Sequence, residues 1–152
     1  MKKVFLLVVG KNKTDSLVKE EQEYLKRLKS FKLGIIELKL LDTKEKNDLQ
    51  VIEKIKSLSD KNQATVILLE ERGKQYTSPE LSKYFYHFME ESPGPIIFII
   101  GGAEGHGEKI KNFTPHHFSL SKLTLPHRFA RLILIEQLYR AETIQQGHPY
   151  HK

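Results

Sequence analysis

Three apolar runs punctuate the chain: Val4–Val9 and Ile96–Ile100, both unbroken, and Ala64–Leu69, interrupted only by Thr65. Apolar runs of this length predict strands buried on both faces. A fourth segment alternates, with Glu37 and Lys39 separating Ile36, Leu38 and Leu40. That period-two pattern predicts a strand with one wetter face, near a sheet edge. Between the strands the spacing changes. Leu17, Tyr24, Leu25, Leu28 and Phe31 recur at helical intervals and predict a helix to about Ser30, capped by Thr14 or Asp15. Leu49, Ile52, Ile55 and Leu58 mark a second helix. Leu81, Tyr84, Phe85 and Phe88 mark a third, opened by Ser78-Pro79-Glu80 with Ser78 as cap and stopped by Ser92-Pro93-Gly94-Pro95. Asp42–Asp48 is charged and aperiodic, which predicts a mobile loop, and Glu70–Lys74 reads as a polar loop carrying Gly73. Strand and helix alternate about five times without a linker or a repeat, which predicts one α/β domain over 1–152, a mostly parallel sheet with helices on both faces.

The polar breaks after the strands are where chemistry is expected, because open α/β sheets bind ligands beyond the carboxyl ends of their strands. Ile96–Ile100 runs into a turn with Gly101, Gly102 and Gly105. Without side chains, such a turn can take positive φ and let a ligand approach the backbone. A second loop, Leu120–His127, follows soon after. The loops after Leu69, Ile100 and Leu120 are therefore expected to share one pocket. The last helical pattern, Phe129 to Gln146, places Ala130, Ile133, Leu134, Leu138, Ala141 and Ile144 on one face. Leu132, Ile135 and Tyr139 widen that arc. An arc so broad calls for burial on more than one side, which a symmetric dimer supplies most simply. The end, Gly147-His148-Pro149-Tyr150-His151-Lys152, is stiffened by its proline.

Composition narrows the function classes. The chain has no cysteine, so disulfides and thiolate metal sites are excluded. No apolar run is long enough to cross a membrane. The apolar stretch near Met1 is short and lacks a small-residue cleavage site, so it reads as a first strand and a cytoplasmic location is expected. The formal net charge of +6 favours an anionic partner, and nucleic acid is the commonest. Much of the lysine alternates with glutamate, as in Lys19–Arg27, which also fits plain solvated helix faces. The histidines His116, His117, His148 and His151 have no cysteine and no well-spaced acid beside them, so no metal is expected. The glycine turn is neither a dinucleotide fingerprint nor a P-loop: Glu108 follows Gly107 where a lysine would be needed. No G-x-S-x-G element is present to support hydrolase chemistry.

Four blocks taken together carry a resemblance: Phe98–Gly105, Leu120–His127, Ile135–Ala141 and His148–His151. In this order, ending in this tail, they resemble the ribosomal RNA large subunit methyltransferase H family of the SPOUT class. The resemblance implies an α/β fold whose C-terminal part is threaded into a trefoil knot. It implies S-adenosyl-L-methionine as cofactor, held by Leu69, Gly102 and the run Ser121, Lys122, Leu123, Thr124, Leu125 and Pro126. The reaction it implies is methylation of N3 of a pseudouridine in 23S, large-subunit rRNA, on the assembled ribosome. The enzyme it implies is a homodimer whose sites are each completed by the other copy. The reacting end would involve Arg140, His151, Tyr150 and Glu136. Arg140 would neutralise the imide anion or grip a phosphate, His151 would take the proton, Tyr150 would stack on the flipped base, and Glu136 would orient Arg140. The alternative is a non-catalytic RNA-binding module of the same fold. Salt-dependent RNA binding without methyl incorporation would distinguish it.

Overall fold

A computed structural model describes residues 2–11, 15–59 and 63–152. Five strands, β1 (Lys3–Val9), β2 (Lys32–Leu38), β3 (Thr65–Lys74), β4 (Ile96–Ile100) and β5 (His116–Phe118), form one sheet in the order β2-β1-β4-β3-β5. Every neighbouring pair is parallel. The helices are α1 (Asp15–Arg27), α2 (Lys44–Leu58), α3 (Ser78–Glu91), α4 (Glu108–Phe113) and α5 (His127–Gln145). β4 lies at the centre and all five of its residues are buried, as its unbroken apolar run requires. The period-two alternation sorts side chains between two cores. Leu6, Val8, Ile67 and Phe98 share one face with Leu81 and Phe85 of α3 and Leu134, Ile135 and Leu138 of α5. Leu7, Leu68, Ile97 and Ile99 share the other with Val51 and Ile55 of α2 and Ile110 of α4. β2 is an edge strand, as its alternation predicted.

Several elements differ from the sequence expectations, each for a tertiary reason. Asp42–Asp48 is mostly helix. Thr43 caps α2, its Oγ1 accepting from the Lys46 N–H at 3.1 Å. Asp48 is buried and its carboxylate accepts from the N–H of Gly107 (3.1 Å) and of Ile110 (3.2 Å). It caps α4, whose own N-cap, Gly107, has no side chain to do so. A Cβ at Gly107 would stand 2.4 Å from Asp48 Oδ2, so this approach requires glycine. On α2 the buried face is Asp48, Val51 and Ile55, while Leu49 points outward, 48% exposed.

Glu70–Lys74 is not a loop but the second half of β3. Both Leu69 and Lys74 pair with Phe118, so the strand makes a bulged excursion between them. His116 and His117 lie on β5, with His117 Nδ1 2.7 Å from Glu70 Oε2. Thr77, not Ser78, caps α3, through a capping box with Glu80. β2 spans Lys32–Leu38 and stops short of Leu40, which is 54% exposed. Thr14 and the side chain of Asp15, the expected caps of α1, lie outside the described residues.

α1 ends at Arg27 rather than Ser30, and the reason lies on α5. The buried Glu142 carboxylate accepts the N–H of Lys29 (2.8 Å) and of Ser30 (2.5 Å) and the Ser30 hydroxyl (2.7 Å). A second buried charge ties the other end of α5. Arg131 is bidentate to Glu21 of α1 (2.6 and 2.9 Å) and reaches Glu37 of β2 at 2.7 Å. Burial pushes its pKa down, but the hydrogen bonds and charges of Glu21 and Glu37 outweigh this and raise it. The α5 arc is thus filled differently from the apolar reading. Arg131, Glu142 and Thr143 are inside, Ile133 is 38% exposed and Phe129 42% exposed.

Candidate functional site

At the carboxyl end of the sheet, the outer half of β3, the turn after β4 and the segment between β5 and α5 surround a cavity of about 800 Å³. That volume suits a mid-sized organic ligand. Its floor is the glycine turn. Gly105 has φ +81° and its N–H donates to the Gly102 carbonyl at 2.9 Å, folding the turn back on itself. A Cβ at Gly101 would come within 3.0 Å of the His106 ring, so the ring lies directly on the backbone there. His106 Nε2 meets the Leu69 carbonyl at 2.8 Å. A carbonyl only accepts, so Nε2 carries the hydrogen. Burial lowers the His106 pKa, which keeps the ring neutral near pH 7. This latch joins the β4 turn to β3.

The third wall is a turn braced by serines. Ser119 Oγ donates to the Ser121 carbonyl (3.0 Å), and Ser121 Oγ accepts from the Leu123 N–H (3.0 Å). Pro126 then opens α5, which has no side-chain cap. Pro126, His127 and Ala130 line the cavity, so it lies beside the positive end of the dipole of this long helix. Among the described residues the buried Nδ1 of His127 has no hydrogen-bond partner.

A second cluster sits at the other end of α5. Arg140 Nε and Nη2 donate to Glu136 Oε1 (3.0 and 2.6 Å), and the Tyr150 hydroxyl donates to the same oxygen (3.0 Å). The Arg140 guanidinium lies 4.9 Å from the centre of the Tyr150 ring. Arg140 Nη1 lies 3.1 Å from His151 Nδ1. An arginine can only donate, so Nδ1 is the acceptor. The hydrogen bond and charge of Glu136 raise the Arg140 pKa against a smaller opposing effect of burial, so the guanidinium stays charged. Burial first, then hydrogen bonding to Tyr24 and Glu136, pushes the Tyr150 phenol up, so it remains a donor. The tail is therefore docked on α5.

The residues named from sequence fall into these two groups. Leu69, Gly102, Ser121, Leu123, Thr124, Leu125 and Pro126 line the cavity. Lys122 is exposed and does not line it, although its neighbours on both sides do. Arg140, Glu136, Tyr150 and His151 are brought together, but none of them lines the cavity. Ten residues of helix separate Ala130, at the cavity, from Arg140, about 15 Å along the axis. His106 and His127 were not singled out from sequence. His127 closed a loop already nominated, and His106 stands between two glycines of the turn. Nothing local reveals that either ring faces the cavity. Among the described residues, no three His, Asp or Glu side chains gather as a metal site, and no helix is long and apolar enough to cross a membrane.

A family model described as a predicted SPOUT methyltransferase matches residues 2–151. The chain belongs to the SPOUT methyltransferase family. Its curated relatives include two proteins named ribosomal RNA large subunit methyltransferase H. The one from Streptococcus uberis is 40% identical, covering 99% of each chain. The one from Prochlorococcus marinus is 37% identical, covering 97% of this chain and 94% of the relative. A solved structure, described as a probable methylase family protein from Haemophilus influenzae, superposes with a TM-score of 0.57 over 99% of this chain and 70% of its own. At 10% identity that likeness concerns the fold alone. Like its family, the chain is a methyltransferase with an α/β fold.

Proposed function

We propose that this protein transfers a methyl group from S-adenosyl-L-methionine to N3 of a pseudouridine in 23S rRNA, and that it does so on the assembled ribosome. The observation that carries the reading is the single cavity shared by the three strand-end loops, in a chain of this family. The donor set fits the cofactor. Loop carbonyls and N–H groups suit an adenine edge, Leu69 and Leu125 offer apolar contact, and the helix N-terminus suits a carboxylate. Among the described residues the buried His127 Nδ1 still lacks a partner. S-adenosyl-L-methionine supplies a sulfonium-activated methyl group there. Leu69, Gly102, Ser121, Leu123, Thr124, Leu125 and Pro126 bind and orient it, with Lys122 contributing backbone only. The trefoil knot of the C-terminal part belongs to the same proposal.

The second cluster handles the base. The imide N3–H of pseudouridine must lose its proton, and the fixed charge of Arg140 stabilises the anion. Glu136 holds that guanidinium in place through two hydrogen bonds. His151 receives the proton once its Nδ1 is released by Arg140, and Tyr150 stacks on the base. The cluster lies away from the cavity of its own chain. A symmetric homodimer that sets one copy's tail at the other copy's cavity closes this gap. The exposed Phe129 and Ile133, one helical turn apart on α5, support such an interface.

Mass spectrometry of rRNA from cells lacking the protein tests this. One pseudouridine should lose its methyl, and wild type but not Arg140→Ala should restore it. An unchanged rRNA would reject the reading. A sedimentation mass of one chain at micromolar concentration would reject the dimer.

A further inference from the structure

Beside the Arg140 cluster lies an aromatic and cationic surface that no role above uses. Tyr139 packs edge-on against Tyr150, with ring centres 4.8 Å apart. Tyr24 of α1 lies 5.9 Å from Tyr139. Over both rings sits Arg27, its guanidinium carbon 5.6 Å from the Tyr24 centre and 5.9 Å from that of Tyr139. The charge balance of the two arginines differs. Arg140 is paired with Glu136, its Nε and Nη2 both donating to one carboxylate oxygen. Arg27 is exposed, and among the described residues it has no carboxylate partner. A basic last turn alone would only complement the dipole of α1. Lys26, in the same turn, does that and pairs weakly with Glu23 at 3.7 Å. The two tyrosine rings set Arg27 apart, because cation–π contact with both holds a guanidinium in place while its N–H groups stay in water.

We propose that Arg27 grips a backbone phosphate of the substrate RNA next to the methylated base. Tyr24 and Tyr139 are its platform, and through Tyr139 it is in register with Tyr150. A planar, weakly hydrated guanidinium with an open edge matches phosphate geometry. Arg140 is held by Glu136 and assigned to the base, so the strand's phosphate falls to a different cation. This rests on the rRNA reading above and names the residue that positions the strand.

The experiment compares Arg27→Ala, Arg27→Lys and Lys26→Ala with wild type, using ribosomes from cells lacking the enzyme. Arg27→Ala should raise KM for ribosomes about tenfold, more than it lowers kcat, and reduce the slope of log affinity against log salt by about 1. Arg27→Lys should keep the slope and recover part of the KM. Lys26→Ala should change neither, although it removes the same charge from the same turn. Stabilisation by S-adenosyl-L-methionine, read by thermal shift, should persist in all three and certify the fold. Equal effects of Arg27→Ala and Lys26→Ala, or an unchanged KM and slope in Arg27→Ala, would overturn the proposal. Should wild type transfer no methyl to ribosomes, the rRNA reading itself fails. The salt dependence of direct binding to large-subunit rRNA then still decides whether Arg27 holds a phosphate.

Discussion

At its first turn α5 meets the cavity with Pro126, His127 and Ala130, whereas its later turns carry the paired side chains of Glu136 and Arg140. The cavity end is assembled from strand termini that the central sheet holds rigid. Its shape depends on glycines that admit close approach and on side chains reaching in from elsewhere, such as Asp48 from α2 and His106 onto Leu69. The tail end is local. Glu136 and Arg140 are one helical turn apart, and Tyr150 and His151 fold back onto them within a few residues. Backbone at the rim of a sheet gives a site of defined shape for one small molecule. Charged and aromatic side chains at a helix end suit the large, flexible anion proposed above.

The largest expected effect abolishes the contrast. Phe98→Ala, at a fully buried position of the central strand, should cost about 3–5 kcal/mol. Denaturant unfolding should show this, and cofactor stabilisation and RNA binding should fall together. If only one of them falls, the two ends do not depend on a common core. Arg140→Ala should instead separate them. Methyl transfer should drop about 10²–10³-fold. The shift in melting temperature caused by S-adenosyl-L-methionine should be kept. Loss of that shift would mean that Arg140 serves the cavity.

Asp48→Ala probes the cavity end alone. Two N–H groups, of Gly107 and the buried Ile110, lose their acceptor, at a cost of about 1–3 kcal/mol. Cofactor affinity should weaken while salt-dependent RNA binding holds, which isothermal titration and filter binding would separate.

The smallest effect is a pH dependence. Burial depresses the His106 pKa in the folded protein, so the unfolded chain binds the proton more readily. The contribution of the neutral ring is complete above the ordinary imidazole value of about 6.5 and is lost as pH falls through the lower folded value. Thermal melts from pH 7 to 5 should therefore fall less steeply in His106→Asn than in wild type. Parallel curves would remove His106 from the acid response of the cavity.

Much of this was legible in the residues. Ile96–Ile100 is apolar at every position, so it could only be an interior strand, and the glycines after it could only be a turn. The four blocks from Phe98 to His151 carried the family, and the i, i+4 spacing of Glu136 and Arg140 already put them in contact. What local pattern misread were charged and polar positions whose partners are distant in sequence. Asp48 looked like part of a solvated loop because the N–H groups it caps lie about 60 residues on, in α4. Glu70–Lys74 looked like a loop because its continued pairing with β5 requires a bulge that only the edge strand reveals.

The sequence by itself determined the alternation of strands and helices, the interior of the sheet and the place of the glycine turn, since hydrophobic burial follows a period that can be read residue by residue. Tertiary structure decided which polar groups are satisfied and by whom: Arg131 by Glu21 and Glu37, the end of α1 by Glu142, the imidazole of His106 by the Leu69 carbonyl. Hydrogen bonds and ion pairs are directional and short-ranged. They exist only once the chain has brought both partners within about 3 Å of each other, and no periodicity records that in advance.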